Sequence, residues 1–485
     1  MSGEPIGLKE AALLTLKNSP SIKQLKLQLQ SSQAALQITR GSFDINASLI
    51  ASANENRPTL NSSGLYADID SHNLTGSLSK MFRTGIVSSL SVTLGRMDPR
   101  YVPGFDTTNT SNANLNLVFP LLKGRGRGGS AAAVAETAAQ LNSEATQLDY
   151  YHNLSQILLS TINAYWDYQA AVVNLGFQQT SEQRVQKLLS EVKGLKAKEA
   201  DVSRLKGYYS DKRRNTIEAV EQVNTARSAL AIVMGLPAEQ VANLGEPVEE
   251  FSLDWDPILN QLEQQPMEDK WVATAIERRL DVQAQKLRQQ ASAIQLAKAR
   301  QDLQPQLDLG LNLGYNGQEL GNDFNNYFDS LAGDERGTTT SATLTLSYPL
   351  GNNIAKGSLD IADVTHQSAV ITTNNQIRTT SVQVGVDAGI VMRRLQESVE
   401  AKKAVESYFP AYEQSYRRLL ESPSTLFVLI DVEEKLTEAF VNQVNTLQEL
   451  GKAIAKLRFE TGTILVPGDE ENLILANMTT LPNME

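Results

Sequence analysis

The stretch NSPSIKQLKLQLQSSQAALQITRGSFDINASL (Asn18–Leu49) returns, degenerate but in order, as RRLDVQAQKLRQQASAIQLAKARQDLQPQLDL (Arg278–Leu309). At a constant offset of 260 residues, Ile22 meets Val282, Leu27 meets Leu287, Leu36 meets Leu296, Arg40 meets Arg300 and Leu49 meets Leu309. A second pair, NANLNLVFPL (Asn112–Leu121) and SATLTLSYPL (Ser341–Leu350), matches at an offset of 229. Self-similarity in this order points to a duplicated unit. The first half, 1–260, reads as a helix, strands over about 43–56 and 110–120, long helices over about 125–193 and 201–234, and a mixed belt over 235–260. The second, 261–485, reads as a helix, strands over about 305–316 and 340–349, long helices over about 354–420 and 425–458, and a tail belt over 459–485.

The strands alternate. Ile45, Ala47, Leu49, Ala51 and Ala53 interleave with Asn46, Ser48, Ser52 and Asn54, with Ile50 the exception. Leu307, Leu309, Leu311, Leu313 and Tyr315 interleave with Asp308, Gly310, Asn312, Gly314 and Asn316. Period two with Asn, Ser and Gly on one side fits a sheet with one apolar and one watery face. An ordinary antiparallel sandwich edge has this pattern, and so does a membrane barrel wall with strands of ~9–11 residues. The first half holds a further hairpin, Leu74 to Phe82 and Ile86 to Leu94 around Arg83-Thr84-Gly85, which either joins the sheet or folds as a flap. Stretches 54–72, 96–110 and 316–338, rich in Asn, Asp and Gly, read as long polar loops.

The helical tracts are too long for a globular core. From Arg125 to about Val192 there is no proline, and at ~1.5 Å per residue this tract alone is about 100 Å long. Its counterpart from Ile354 to Leu420 carries one proline, Pro410, a kink point near its end. Short breaks (Gly194–Asp201 and Glu421–Leu426) lead to returning helices of about half that length, which the pre-strand helix (Pro20–Ser42) extends end to end. A soluble antiparallel coiled coil is the competing interpretation. The prolines at 237, 247, 257 and 266 predict a non-helical belt between the halves.

Composition excludes several classes. The net charge of -11 argues against non-specific nucleic-acid binding, which needs clustered Lys and Arg. The absence of cysteine removes disulfides, thiolate metal sites and cysteine nucleophiles. The three histidines, at 72, 152 and 366, are isolated, so no metal site or histidine-based catalysis is expected, and no cofactor. No apolar run of about 18 residues predicts a transmembrane helix, although a β-barrel remains compatible with this composition. The chain begins Met1-Ser2-Gly3-Glu4-Pro5 without an apolar signal segment, as a mature or trimmed chain would.

Four segments in order carry a resemblance: LKEAALLTLKNSPSI (Leu8–Ile22), VFPLLKGRG (Val118–Gly126), DVSRLKGYY through ARSALAIVMGLP (Asp201–Pro237) and STLFVLIDVEEKLTEAFVNQV (Ser424–Val444). With the element order on a duplicated frame, the sequence resembles the TolC family of bacterial outer-membrane efflux proteins across essentially the whole chain. The resemblance implies an α+β membrane protein: a homotrimeric outer-membrane β-barrel continued by a long α-helical barrel across the periplasm. It implies a passive exit duct, not an enzyme, for small molecules or proteins in a tripartite efflux or type I secretion system. A periplasmic adaptor and an inner-membrane pump or ABC transporter are the implied partners, with outer-membrane lipid around the barrel. Four strands are too few to close a barrel, so the chain must share one with its own copies. Three copies of four strands give 12, the family's number; the extra hairpin would raise this to 18, and 12 is favoured. A soluble coiled-coil scaffold or adaptor is the alternative function.

Candidate site residues follow. The resemblance places Asp201 at the family's first-tip aspartate and Asp431 at a second-tip one. Three-fold symmetry would make either a carboxylate ring that attracts cations. Asp201 is equally well explained as an acid at a helix N-terminus. Val428 and Ser424 stand where some members have an aspartate and an arginine, so Arg204, Arg417 and Arg418 are candidates to complete the gate; solvated helix faces are the simpler account of all three. The glycine stretch Gly124–Gly129 satisfies G-x-G-x-x-G, but a dinucleotide site needs a buried parallel strand and a helix of ordinary length. A strand-to-helix elbow is expected instead, with Lys123, Arg125 and Arg127 near lipid head groups. No catalytic set emerges: Glu249–Glu250 and Glu433–Glu434 read as neighbours on solvent-facing positions.

Overall fold

The computed structural model describes residues 4–57, 68–100, 106–192, 198–332, 335–466, 474–475 and 480–482. Helices α1 (Leu8–Asn18) and α2 (Pro20–Arg40) lead to strands β1 (Asn46–Asn56), β2 (Asp68–Met81), β3 (Val87–Arg100) and β4 (Thr108–Pro120). Helices α3 (Ala131–Val192) and α4 (Glu199–Met234) follow, then α5 (Ala238–Val241), α6 (Asp256–Gln264), α7 (Glu268–Arg278) and α8 (Leu280–Gln301). Strand β5 (Gln306–Leu320), α9 (Asn326–Asp329) and β6 (Glu335–Ser347) precede α10 (Asn353–Glu421), α11 (Leu426–Glu460) and the short pair β7 (Leu465–Val466) and β8 (Ile474–Leu475). The chain forms two compact units: a sheet unit (Gln30–Ala145 and Lys286–Thr372) and a helical unit (Met1–Leu29, Thr146–Gln285 and Thr373–Glu485).

In the sheet unit β1 to β6 pair in sequence order, every neighbour antiparallel. This corrects the expected four strands: the hairpin at 74–94 enters the sheet as β2 and β3 instead of folding as a flap. The physical reason lies in its alternation. Leu74 and Leu78 pair with Leu94 and Leu90, which fall in register with Ser111 and Leu115 of β4, so the hairpin extends the same apolar face. The hairpin has no counterpart in the second half, and a reading led by the repeat undercounts it. The expected loops shrink for the same reason. Strands run on to Asn56, from Asp68, to Arg100, to Leu320 and from Glu335. The remainder at 58–67, 101–105 and 333–334, like 193–197 of the first helix break and most of the tail beyond 466, lies outside the described residues.

In the helical unit the apolar stripes of long helices meet in separate clusters. One gathers Leu8, Ile162, Tyr165, Trp166, Leu230, Met234 and Phe459; another holds Trp255, Trp271, Val384, Leu395, Leu450 and Leu457. The belt is not wholly non-helical. Pro257 sits in the first turn of α6, where no backbone N–H is needed, so a proline that reads as punctuation instead starts a helix. Helix α10 continues through Pro410. Glu249 is also not simply solvated, because it accepts hydrogen bonds from the Leu8 backbone N–H and the Tyr165 hydroxyl.

Both returning helices end in the same way. Gly235 closes α4 at φ +72° with Leu236 N–H donating to Ala231 O, and Gly462 follows α11 at φ +67° with Thr463 N–H donating to Arg458 O. This left-handed cap satisfies carbonyls that the last helical turn leaves open. Each glycine also rests on a helix break. A Cβ at Gly235 would lie 2.9 Å from Ser19 Cα, and one at Gly462 would lie 3.1 Å from the Arg278 carbonyl. Changing Gly235 or Gly462 to Ala should therefore lower stability by about 1–2 kcal/mol or more from the left-handed backbone alone. Gly176→Ala, where nothing lies within 4 Å, should instead be neutral or gain up to ~1 kcal/mol. Thermal unfolding of the purified variants checks all three.

Candidate functional site

Directly opposed residues of paired strands share a face, so the register sorts the whole sheet. One face carries Leu49, Leu78, Leu90, Leu115, Leu313 and Leu344 with their row neighbours Val92, Leu117, Phe119 and Leu309. Leu49 is 73% exposed, Leu344 63% and Leu313 52%, an apolar surface that water disfavours. The other face is made of small polar groups. It carries Ser48 and Ser52 on β1, Asn73, Thr75 and Ser77 on β2, and Ser89, Ser91 and Thr93 on β3. Asn112, Asn114 and Asn116 follow on β4, Asn312 and Asn316 on β5, and Thr339, Ser341 and Thr343 on β6. Hydroxyls couple across it, Ser48 to Ser77 at 2.7 Å and Thr75 to Thr93 at 3.1 Å. Above Asp308, at the helix-bearing end of β5, no charged residue lies on this face up to the row of Asn316.

The four long connections all attach at one end of the sheet, through the start of β1, the end of β4, the start of β5 and the end of β6. There the glycine stretch forms tight turns. Gly124 and Gly126 have φ of +88° and +73°, and the Gly126 N–H donates to Thr84 O in the β2–β3 turn. The sheet beside it is antiparallel, so no dinucleotide fold is present. Arg83, from that turn, grips Glu136 of α3 with two hydrogen bonds of 2.6 and 2.7 Å, and Arg40 lies 3.6 Å away. The Arg83 guanidinium holds the Glu136 carboxyl below its usual range, with Arg40 and Arg127 adding to the effect. Lys123 pairs with Asp302 at 3.8 Å, while Arg125 and Arg127 are exposed.

At the helix tips, Asp201 sits half-buried in the first turn of α4 and Asp431 is exposed on α11. Arg204 lies 4.1 Å over the ring of Phe427, and Arg417 and Arg418 are exposed on α10. Among the described residues no ion pair joins these three arginines to either aspartate. The strongest electrostatic feature here is one that the sequence reading misassigned to solvent. Glu433 of α11 is 2% exposed. It lies 3.2 Å from both Lys212 Nζ of α4 and Arg184 of α3, and it accepts hydrogen bonds from Tyr208 (2.6 Å), Ser181 (2.7 Å) and Thr437 (2.9 Å). Burial would raise its pKa, but the Lys212 charge, the Tyr208 and Ser181 hydroxyls and Arg184 together hold it below the usual value. Burial and the carboxylate push the Tyr208 hydroxyl up. The signal was available. Leu426, Leu429, Ile430, Glu433, Leu436 and Thr437 are all buried and fall on one helical stripe, as Leu205, Lys212 and Ala219 do on α4.

Removing one member of a buried ion pair leaves the other uncompensated, so Glu433→Ala should destabilise this region by about 3–5 kcal/mol. A group with a lowered folded pKa contributes fully above its ordinary value of 4.5 and loses that contribution as pH falls through the folded value. Acid unfolding in wild-type protein should steepen below about pH 4.5, and Glu433→Gln should flatten that limb; circular dichroism against pH reads both.

The outer membrane efflux protein family model matches residues 271–424. No curated protein sequence matches the chain at significant similarity. Among solved structures, VceC from Vibrio cholerae is 17% identical with a TM-score of 0.64, covering 94% of this chain and 96% of its own. The outer-membrane channel OprN is 15% identical with a TM-score of 0.63, covering 94% and 90%. The CmeC channel of Campylobacter jejuni is 14% identical with a TM-score of 0.62, covering 94% and 85%. At this identity the likeness shows the fold, and the family model matches one segment of the second half of the chain. That segment and the shared fold are what the chain has in common with outer membrane efflux proteins, the TolC family that its sequence resembles.

Proposed function

We propose that three copies of the chain close a barrel in the outer membrane and act as the passive exit duct of a tripartite efflux or type I secretion system. The observation that carries this is the sheet. Its edges, β1 with all 11 residues exposed and β6, have no partner among the described residues. One of its faces is apolar and exposed and the other polar and nearly free of charge. Open edges are not tolerated in hydrocarbon, and three six-stranded sheets would make a barrel of 18. Lipid then meets the leucine face and water fills the serine, threonine and asparagine face. The paired glycine caps support a duplicated frame with halves at 1–260 and 261–485. An outer-membrane conduit of this kind is not an enzyme.

The helix tips form the gate in this reading. Three-fold symmetry brings Asp201, Asp431 or both into carboxylate rings, with Arg204, Arg417 and Arg418 around them. Glu433 fastens α11 to α3 and α4, so opening at the tip has to break or carry along this buried knot. A periplasmic adaptor and an inner-membrane pump or ABC transporter would shift the balance between closed and open states. Lys123, Arg125 and Arg127 face lipid head groups at the strand-to-helix elbow.

Planar-bilayer conductance of the detergent-purified protein tests the duct. Steady unitary currents are expected, with cation preference altered by Asp201→Ala or Asp431→Ala; a protein that stays soluble without detergent and never conducts overturns it. Because the chain has no cysteine, single cysteines report the faces cleanly. A membrane-impermeant thiol reagent should reduce the current through Asn114→Cys and leave Leu115→Cys unaltered. The reverse result would reject the assignment of faces.

A further inference from the structure

We propose that the segment around the short helix α9 is a bilayer-surface anchor: its outward phenylalanines, Phe324 just before the helix and Phe328 within it, dock into the lipid interface at the end of the barrel remote from the helices. The inference rests on the leucine face being the lipid face. It adds a docking element outside the strands.

Helix α9 lies in the β5–β6 connection, at the opposite end of the sheet from α2, α3, α8 and α10. Its seat is built. Ser111 Oγ donates to Ser330 O at 2.8 Å, Tyr315 OH donates to Leu331 O at 2.8 Å, and Tyr327 OH donates to Leu94 O at 2.9 Å. Ser330 is fully buried and Leu94 is 8% exposed. A Cβ on Gly317 would lie 1.9 Å from Ser330 O, so the close approach requires glycine there. Ser111, Gly317 and Leu94 are register partners, and Tyr315 is two residues from Gly317, so the segment sits on the leucine face.

Among Asn322, Asp323, Asn325 and Asp329, this seat also presents two aromatic rings outward. Phe324 is 71% exposed and Phe328 48%, their rings 5.8 Å apart edge to face. Tyr327, the one ring of the cluster with a polar tip, turns that tip onto the strand. Water alone would favour the opposite arrangement. Two features decide the occupant. The segment rests on β3, β4 and β5, the strands adjoining the middle of the sheet, whereas a second copy of the chain would pair at β1 or β6. The exposed rings also continue the exposed leucine face beyond its last apolar rows, where barrels carry aromatic residues at head-group depth.

The test uses full-length protein in phosphatidylcholine vesicles whose lipids carry bromine either near the head group or deep in the chains. Phe324→Trp and Phe328→Trp report the segment, and Leu90→Trp reports the leucine face. The native Trp166, Trp255 and Trp271 are buried in helical cores and give a constant background. Loss of the added emission to shallow bromine at 324 and 328, and to deep bromine at 90, is expected. Quenching at 90 with none at 324 or 328 overturns the anchor while leaving the duct intact. No quenching at any of the three overturns both.

Discussion

A backbone amide in hydrocarbon has no water to turn to, and in the proposed barrel that constraint governs the sheet unit. The inner strands pair on both sides, strand after strand in sequence order, until the pairing runs out at β1 and β6. A lone sheet with such edges is a liability even in water. The alternation that makes one face leucine and the other hydroxyl and amide also makes the edges meaningful, because closure into the proposed barrel would put each face in its own solvent. The glycines, the arginine clamp on Glu136 and the tight elbow then serve to turn the chain out of this sheet into helices.

The helical unit solves a different problem. Very long helices bury narrow stripes rather than one central core, and its apolar contacts are accordingly divided among separate clusters. Near the tips a charged residue lies on such a stripe. Glu433 is stable there because three helices converge on it with two cations and three hydroxyls, so each lost water contact is replaced. A buried pair of this sort adds less to stability than to specificity, since only one alignment of α3, α4 and α11 satisfies it.

Much of this was legible in the sequence, for identifiable reasons. Period two at Ile45–Ala53 and Leu307–Tyr315, and long tracts with no proline after Arg125 and only Pro410 after Ile354, translate directly into strands and helices because those signals are local. The hairpin was underestimated because the repeat contains it only once. Pro257 was taken for a break because a proline that starts a helix looks the same in sequence as one that ends it. Glu433 was missed by treating charge as a marker of solvent exposure, although its place on the stripe of Leu426, Leu429, Ile430 and Leu436 contradicted that. Asp201 and Asp431 lie on α4 and α11, but in the proposed trimer their joint geometry depends on copies of the chain, and no single sequence encodes that directly.

The glycine caps at 235 and 462 have a wider implication. The end of each returning helix is seated partly by main-chain atoms, a left-handed glycine against the backbone of a helix break. That seat sets helix register through peptide groups, alongside side-chain contacts such as the Glu433 knot. Away from such contacts, the spacing rests on the backbone and not on a given side chain. A backbone seat of this kind constrains two positions and leaves most of the rest of the chain to other demands.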